Sequence, residues 1–316
     1  MILINLVLSL VFLVILIKCA QYSIKYSSRI AKSLHLPEFI VSFFIIALIS
    51  VLPEAVISII SAFKGNPELG LGTLLGSNVA DLTLVFGIVA LFSSGGIKVK
   101  SKILNNKIFY VVLLLFPLLL GIDGEFSRID GAILLLLGTL FFIRIYYVSH
   151  KFHKKFNHSE NKPFAKSLIL LILSLLVLTG SAFLTTKFAI GFANDAKIPA
   201  ILVGIAVLAL GTCLPELTFS IQAVRKNHDE LALGDILGTV ITDATIILGL
   251  VALICPFNYN PLNMYIIGGA MFLAGLFAVI FMKSDKSINK KEGLLLIFFY
   301  IIFIFVEFFT NKIIGN

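Results

Sequence analysis

Ser50-Val51-Leu52-Pro53-Glu54-Ala55-Val56-Ile57-Ser58 and Gly72-Thr73-Leu74-Leu75-Gly76-Ser77-Asn78-Val79-Ala80-Asp81 decide how this chain folds, because both stretches return later in altered form. The second copies read Thr212-Cys213-Leu214-Pro215-Glu216-Leu217-Thr218-Phe219-Ser220 and Gly234-Asp235-Ile236-Leu237-Gly238-Thr239-Val240-Ile241-Thr242-Asp243. Ser50 matches Thr212, Pro53 matches Pro215, Glu54 matches Glu216 and Ser58 matches Ser220. Gly72, Gly76, Ser77, Asp81 and Gly87 match Gly234, Gly238, Thr239, Asp243 and Gly249. Every pair is 162 residues apart with no gap, which marks an internal repeat.

The surroundings of the motif are apolar. Of 316 residues, 59% are hydrophobic and 13% charged, and the mean hydropathy is +1.06. A soluble domain carries about 25% charge, so this composition excludes a soluble enzyme and a disordered chain. About 20 apolar residues cross a bilayer as a helix. Ten such runs are present, at 2–19, 39–63, 69–92, 104–121, 131–148, 167–185, 200–224, 232–254, 262–282 and 293–310. They are continuous rather than alternating, which argues for helices over a β-barrel. Five runs separate corresponding points of the two copies, so the copies face opposite ways across the membrane. The expected fold is an all-α integral membrane protein of ten transmembrane helices in two inverted five-helix repeats. Residues 1–148 form the first repeat (motif 47–87) and 167–316 the second (motif 209–249), joined by a linker at 149–166.

With the N-terminus outside, 20 of the 25 Lys and Arg residues fall on the inner side, leaving only Lys64, Arg128, Lys187, Lys197 and Lys312 outside. That asymmetry predicts both termini outside and assigns the +8 net charge to topology, not to nucleic acid. His150, His153 and His158 lie in the basic linker and read as solvated residues. Cys19, Cys213 and Cys255 have no metal-site or disulfide spacing. No basic residue precedes the first apolar run, so it reads as a retained span rather than a cleaved signal.

Glu54, Asp81, Glu216, Asp235, Asp243 and Glu307 fall inside five of the runs, at 39–63, 69–92, 200–224, 232–254 and 293–310, whose interiors hold no Lys or Arg. Four intramembrane carboxylates cost on the order of 10 kcal/mol unless protons or cations compensate them. Ser50 and Glu54, Ser77 and Asp81, Thr212 and Glu216, and Thr239 and Asp243 are each spaced i, i+4, which sets a hydroxyl beside a carboxylate on one helix face. Pro53 and Pro215 free the carbonyls of Ile49 and Gly211. All of these are hard oxygen ligands, suited to Na⁺ or Ca²⁺. Gly72, Gly76, Gly234 and Gly238 form small-residue faces for close helix approach. Asp235 reads either as a ligand or as the cap of the eighth helix, and Glu307 as an interfacial residue. Inverted repeats with midplane sites on interrupted helices are the pattern of alternating-access transporters.

The motif L-P-E followed by G-x-x-x-G-S-N-x-x-D resembles the repeats of the cation/Ca²⁺ antiporter superfamily, most closely its prokaryotic Na⁺/Ca²⁺ exchangers. The resemblance implies central Ca²⁺ ligands at Glu54 and Glu216, faced by Asp81 and Asp243. It implies Na⁺ shells completed by Ser50, Ser77, Thr212, Thr239 and the carbonyls of Ala47 and Ala209, with the first and sixth spans sliding across the other eight. Where the family reads G-T-S-L-P-E, this chain has I-S-V-L-P-E and G-T-C-L-P-E, so Val51 lacks a hydroxyl and Cys213 offers a softer donor. Thr73 and Asp235 stand where the family has Asn, and with Cys213 they are further possible ligands. The expectation is a non-enzymatic secondary antiporter of a prokaryotic cell membrane. It moves Na⁺ and Ca²⁺, holds no cofactor, and has lipid but no nucleic acid as a partner, as a monomer. Only an occupied site would be neutral enough to change sides. Coupling to H⁺ on the same fold, a passive cation channel, and an intramembrane aspartyl protease are the competing readings. The last is disfavoured because Ala232-Leu233-Gly234-Asp235 misses G-x-G-D.

Overall fold

The computed structural model describes residues 1–33, 43, 46–99, 107–149, 164–284 and 287–314. Among the described residues the chain forms ten helical rods. They are α1 (Ile2–Ser33), α2 (Ala47–Phe63), α3 (Pro67–Phe92), α4 (Lys107–Leu120) and α5 (Arg128–Ser149), then α6 (Phe164–Ala196), α7 (Ala200–Arg225), α8 (Asp229–Ile254), α9 (Pro261–Ser284) and α10 (Lys290–Ile314). Seven are long and apolar enough to span a bilayer, and α2 and the apolar stretch of α4 are shorter. In α5, Arg128 and Asp130 near one end and Arg144 towards the other flank an apolar middle. The protein is a ten-helix integral membrane bundle. Residues 150–163 of the linker, with its three histidines, and parts of the starts of the second and fourth spans (39–42, 44–45 and 104–106) lie outside the described residues.

Two short antiparallel ribbons tie the halves together. β1 (Ile97–Lys98), which follows α3, pairs with β4 (Ser287–Ile288), which precedes α10. β2 (Glu125–Phe126), which precedes α5, pairs with β3 (Phe257–Asn258), which follows α8. In each ribbon, chain leaving the third helix of one repeat meets chain approaching the fifth helix of the other. The same exchange governs the helices. α10 packs on α3 where a Cβ on Gly87 would lie 2.6 Å from the Gly293 carbonyl oxygen, and α5 packs on α8 where one on Gly249 would lie 2.8 Å from that of Gly131. Gly131 and Gly293 are themselves 162 apart, a repeat pair beyond the motif. Reciprocal exchange of this kind follows from two-fold relation, and five helices per repeat make the relation an inverted one.

Burial separates the rods by role. The most apolar windows of α3 and α8 are 83% buried, whereas those of α1 and α6 are 22% and 28% buried. α1 and α6 pack chiefly on each other, with Phe12 and Phe188 stacked at 5.8 Å. Their outer faces present Leu3, Val14, Ile169 and Leu176, a surface matched to acyl chains. Both helices outrun the expected ends at 19 and 185, reaching Ser33 and Ala196. Lys18 and Lys187 suggest stops in sequence, but a long aliphatic stem lets a lysine reach water from within a helix.

Candidate functional site

The L-P-E copies interrupt α2 and α7 in the same way. α2 consists of Ala47–Ser50 and Leu52–Phe63 joined at Val51 (ψ −17°), and Pro53 is the second residue of the longer piece. α7 is joined at Cys213 (ψ −8°) before Leu214–Arg225, with Pro215 in the equivalent place. Proline lacks the N–H that would continue the ladder, so each helix resets one turn before its glutamate. The Ala47 carbonyl accepts Val51 N–H at 3.1 Å and lies 3.2 Å from Ser50 Oγ; that of Ala209 accepts Cys213 N–H at 3.1 Å and lies 3.2 Å from Thr212 Oγ1. Both carbonyls sit at the interruptions, already engaged within their own helices.

α3 and α8 carry a different irregularity. A π-helical turn runs over Asp81–Val85 in α3 and Thr242–Ile247 in α8, and α7 has another at Gly204–Ala209. Such turns widen the helix by a residue and concentrate at functional sites. Thr83 and Thr245, a further pair at offset 162, cap them by donating to the Val79 and Ile241 carbonyls. The aspartates therefore project from widened turns. Glycine sets how closely these helices approach: a Cβ on Gly72 would meet the Ile201 carbonyl oxygen at 2.6 Å, and one on Gly238 would meet Phe43 O at 2.8 Å.

The result is a chamber of five carboxylates. Glu54, Asp81, Glu216, Asp235 and Asp243 are each at most 1% exposed, and no Lys, Arg or His is buried among the described residues. Asp81 lies within electrostatic reach of Glu54 and Asp235, Glu216 of Glu54, Asp81 and Asp235, and Asp243 of Glu54 and Asp81. Eight of their ten oxygens accept no hydrogen bond: both of Glu54, Asp81 and Glu216, Asp235 Oδ2 and Asp243 Oδ1. Thr212 faces Glu54 and Cys213 faces Asp81, the latter thiol also 3.6 Å from the Ser77 carbonyl oxygen. Among the described residues no three acidic, His or Cys side chains close around a single point, so the chamber gathers ligands without clamping them.

The hydroxyls lie between the repeats. Ser50 Oγ is 3.1 Å from Thr239 Oγ1 and 3.4 Å from Asp235 Oδ1, and Ser77 Oγ is 3.4 Å from Asp243 Oδ2. Ser77 and Thr212 also sit 2.9 and 3.0 Å from the Leu74 and Leu208 carbonyl oxygens, and Thr73 is 2.7 Å from that of Leu69. A hydroxyl whose proton goes to its own helix still has lone pairs for a cation. Back-bonding within the helix and facing the chamber are therefore compatible.

Two expectations change. Asp235 is no cap, because α8 begins at Asp229 after His228 and Asp235 lies nearly two turns inside, fully buried. The sequence Asp229-Glu230-Leu231 suggests loop by its charge but forms the first turn, where acids favour the helix dipole. Glu307, read as interfacial, is 1% exposed within the protein, where it continues the buried stripe Leu296, Tyr300 and Phe303 on α10. Asn78, inside the quoted motif yet not singled out as a ligand, is fully buried with Oδ1 unpartnered and Nδ2 3.5 Å from Met271 Sδ. Tyr110 of α4 also borders the chamber beside Asp81 and donates to the Leu237 carbonyl.

This geometry can be set beside known proteins. A family model described as "Sodium/calcium exchanger protein" matches residues 4–147 and 166–309. The chain belongs to that family. It is similar to the sodium/calcium exchanger MaX1 of Methanosarcina acetivorans, 26% identical over 98% of this chain and 100% of that one. It is also similar to a putative antiporter, CaxA, of Alkalimonas amylolytica, 29% identical over 92% and 95%. Among solved structures, the sodium-calcium exchanger NCX_Mj soaked with 10 mM Na⁺ and 10 mM Sr²⁺ superimposes with a TM-score of 0.70, at 27% identity, over 96% of this chain and 98% of the other. The chain is thus a multi-pass membrane exchanger of the Na⁺/Ca²⁺ class, built as two inverted five-helix repeats.

Proposed function

We propose that the five-carboxylate chamber is the ion-binding site and that inward Na⁺ flow through it drives Ca²⁺ out. Glu54 and Glu216 bind the divalent ion, and Asp81 and Asp243 face them. Ser50, Ser77, Thr212 and Thr239, with the Ala47 and Ala209 carbonyls, complete the Na⁺ shells, and Asp235, Cys213 and Thr73 border them. The observation that carries this reading is the set of eight buried carboxylate oxygens without a hydrogen bond and, among the described residues, without a buried base. Anions so placed require cations.

Exchange follows from charge. Ca²⁺ offsets two of the chamber's five negative charges and several Na⁺ offset more, so the loaded site repels its own reorganisation less than the empty one and changes sides more readily. α1 and α6, which pack chiefly on each other, slide across the other eight to alternate access. Both termini face outward in a prokaryotic cell membrane, the chain acts as a monomer in lipid, and its site needs no cofactor.

A second reading keeps the site and makes H⁺ the counter-ion. It is favoured by two observations: Val51, fully buried, brings no hydroxyl to the chamber, and Asp235 brings a fifth carboxylate. The deciding experiment loads proteoliposomes with Na⁺ or choline at fixed pH and follows ⁴⁵Ca²⁺ uptake. Na⁺-dependent uptake supports the first reading, and uptake driven by a pH step without Na⁺ supports the second.

A further inference from the structure

α1 and α7 part to leave a cleft of about 550 Å³, which reaches in as far as Pro215, the residue before Glu216. Lys18, Lys25 and Arg29 of α1 line it, with Lys226 and His228 from the α7–α8 turn, and no carboxylate is among its lining residues. Lys18, Lys25 and Lys226 are exposed. Ile24, Phe219 and Leu231 supply apolar wall. Gln21 Nε2 donates to Thr218 Oγ1 at 3.3 Å across the seam between the two helices.

The internal repeat acts as a control on this charge. Lys25 and Lys226 have repeat mates in Lys187 and Lys64, so that pair belongs to the shared architecture. Lys18 and Arg29 correspond to Gly180 and Gly191, and Gln21 to Phe183. At the mate position the Lys64 ammonium lies over the Phe183 ring, 4.2 Å from its centroid. The excess of positive charge is therefore particular to the α1–α7 end, beyond what the repeat requires.

We propose that this cleft binds the headgroup of an anionic phospholipid. Its phosphate is held by Lys18, Lys25 and Lys226 and its chains lie along Ile24, Phe219 and Leu231. Basic pockets between membrane helices recognise such headgroups through charge and hydrogen bonding together. A free phosphate would meet the same lysines but would leave the apolar wall unused. Lateral access is provided by α1, whose outer face is open to lipid along most of its length. A headgroup between Lys25 and Lys226 also bridges the seam across which α1 slides. That consequence rests on the proposed transport cycle, whereas the binding itself does not.

The test uses the full chain in phosphatidylcholine vesicles containing spin-labelled phosphatidylglycerol or spin-labelled phosphatidylcholine, with no ion gradient, so its outcome is independent of exchange. The expected result is selective immobilisation of the anionic label. Each of Lys18→Gln, Lys25→Gln and Lys226→Gln should lower the preference about fivefold, and the triple variant on the order of 100-fold. Lys187→Gln, at the repeat mate, should leave it unchanged. Should the triple variant fail to fold, the single variants carry the same test. Equal immobilisation of the two labels, or an unchanged preference in the lysine variants, would overturn the proposal. So would displacement of the anionic label by inorganic phosphate as readily as by unlabelled phosphatidylglycerol, which would assign the cleft to a soluble anion.

Discussion

The two copies of the motif share a backbone and differ in chemistry. Both interrupt a helix one residue before L-P-E, both place a glutamate after the break, and both follow it with an aspartate on a π-helical turn. Yet the first copy has Val51 and Thr73 where the second has Cys213 and Asp235. In the proposed cycle the shared backbone is what inverted access demands, since each half has to take the other's conformation when the site changes sides. The side chains meet at one chamber and, in the proposed site, need only sum to a workable set of ligands. Symmetry thus constrains the framework more tightly than the ligands, and the fifth carboxylate enters through the second repeat alone.

The strongest test of equivalence lies in the glutamates. Glu54→Gln and Glu216→Gln should each abolish Ca²⁺ flux, by about 100-fold or more if a charged ligand contributes about 3 kcal/mol. A large loss in one and a small loss in the other would break the symmetric account. Next come the glycine mates Gly76 and Gly238. A Cβ on Gly238 would lie 2.7 Å from the Ala47 Cβ and 2.8 Å from a backbone oxygen, whereas on Gly76 the nearest atoms are at 3.2 Å. Gly238→Ala should therefore destabilise by about 1–3 kcal/mol and Gly76→Ala by less, as read by thermal melting in detergent.

Smaller effects probe the asymmetry. Asp235→Thr makes the second copy like the first, and it should weaken Ca²⁺ about tenfold by removing one charge from the chamber. Calcium titration of exchange rate checks this, and an unchanged half-saturation would place Asp235 outside the site. Val51→Ser should have the least effect. Its added hydroxyl should tighten Na⁺ by about fivefold, the scale of one neutral oxygen ligand at about 1 kcal/mol, seen in the Na⁺ dependence of uptake.

Much of this was legible in the sequence because it rests on covalent spacing. Apolar runs locate the helices, the offset of 162 relates the halves, and i, i+4 pairs set hydroxyls beside carboxylates. Other features depend on interactions that no local pattern carries. The π-helical turns at Asp81 and Thr242 reflect hydrogen-bond shifts within helices whose sequences read as regular. Asp235 looks like a helix start because charge near a run suggests its end, although tertiary packing carries α8 back to Asp229. Glu307 has Ile145 at its repeat position, so only the packing of α10 reveals its burial. Thr83 with Thr245 and Gly131 with Gly293 were within reach, since extending the same offset beyond the motif finds both pairs.

The central claim is that one acidic chamber exchanges Na⁺ for Ca²⁺, and uptake into sealed vesicles tests it most directly. Purified protein is reconstituted, loaded with Na⁺, K⁺ or choline at one pH, and diluted into ⁴⁵Ca²⁺. The account predicts uptake from Na⁺-loaded vesicles that is absent with K⁺ or choline and absent in Glu54→Gln and Glu216→Gln. Uptake of equal size from all three loads, or unchanged uptake in both glutamate variants, would contradict it.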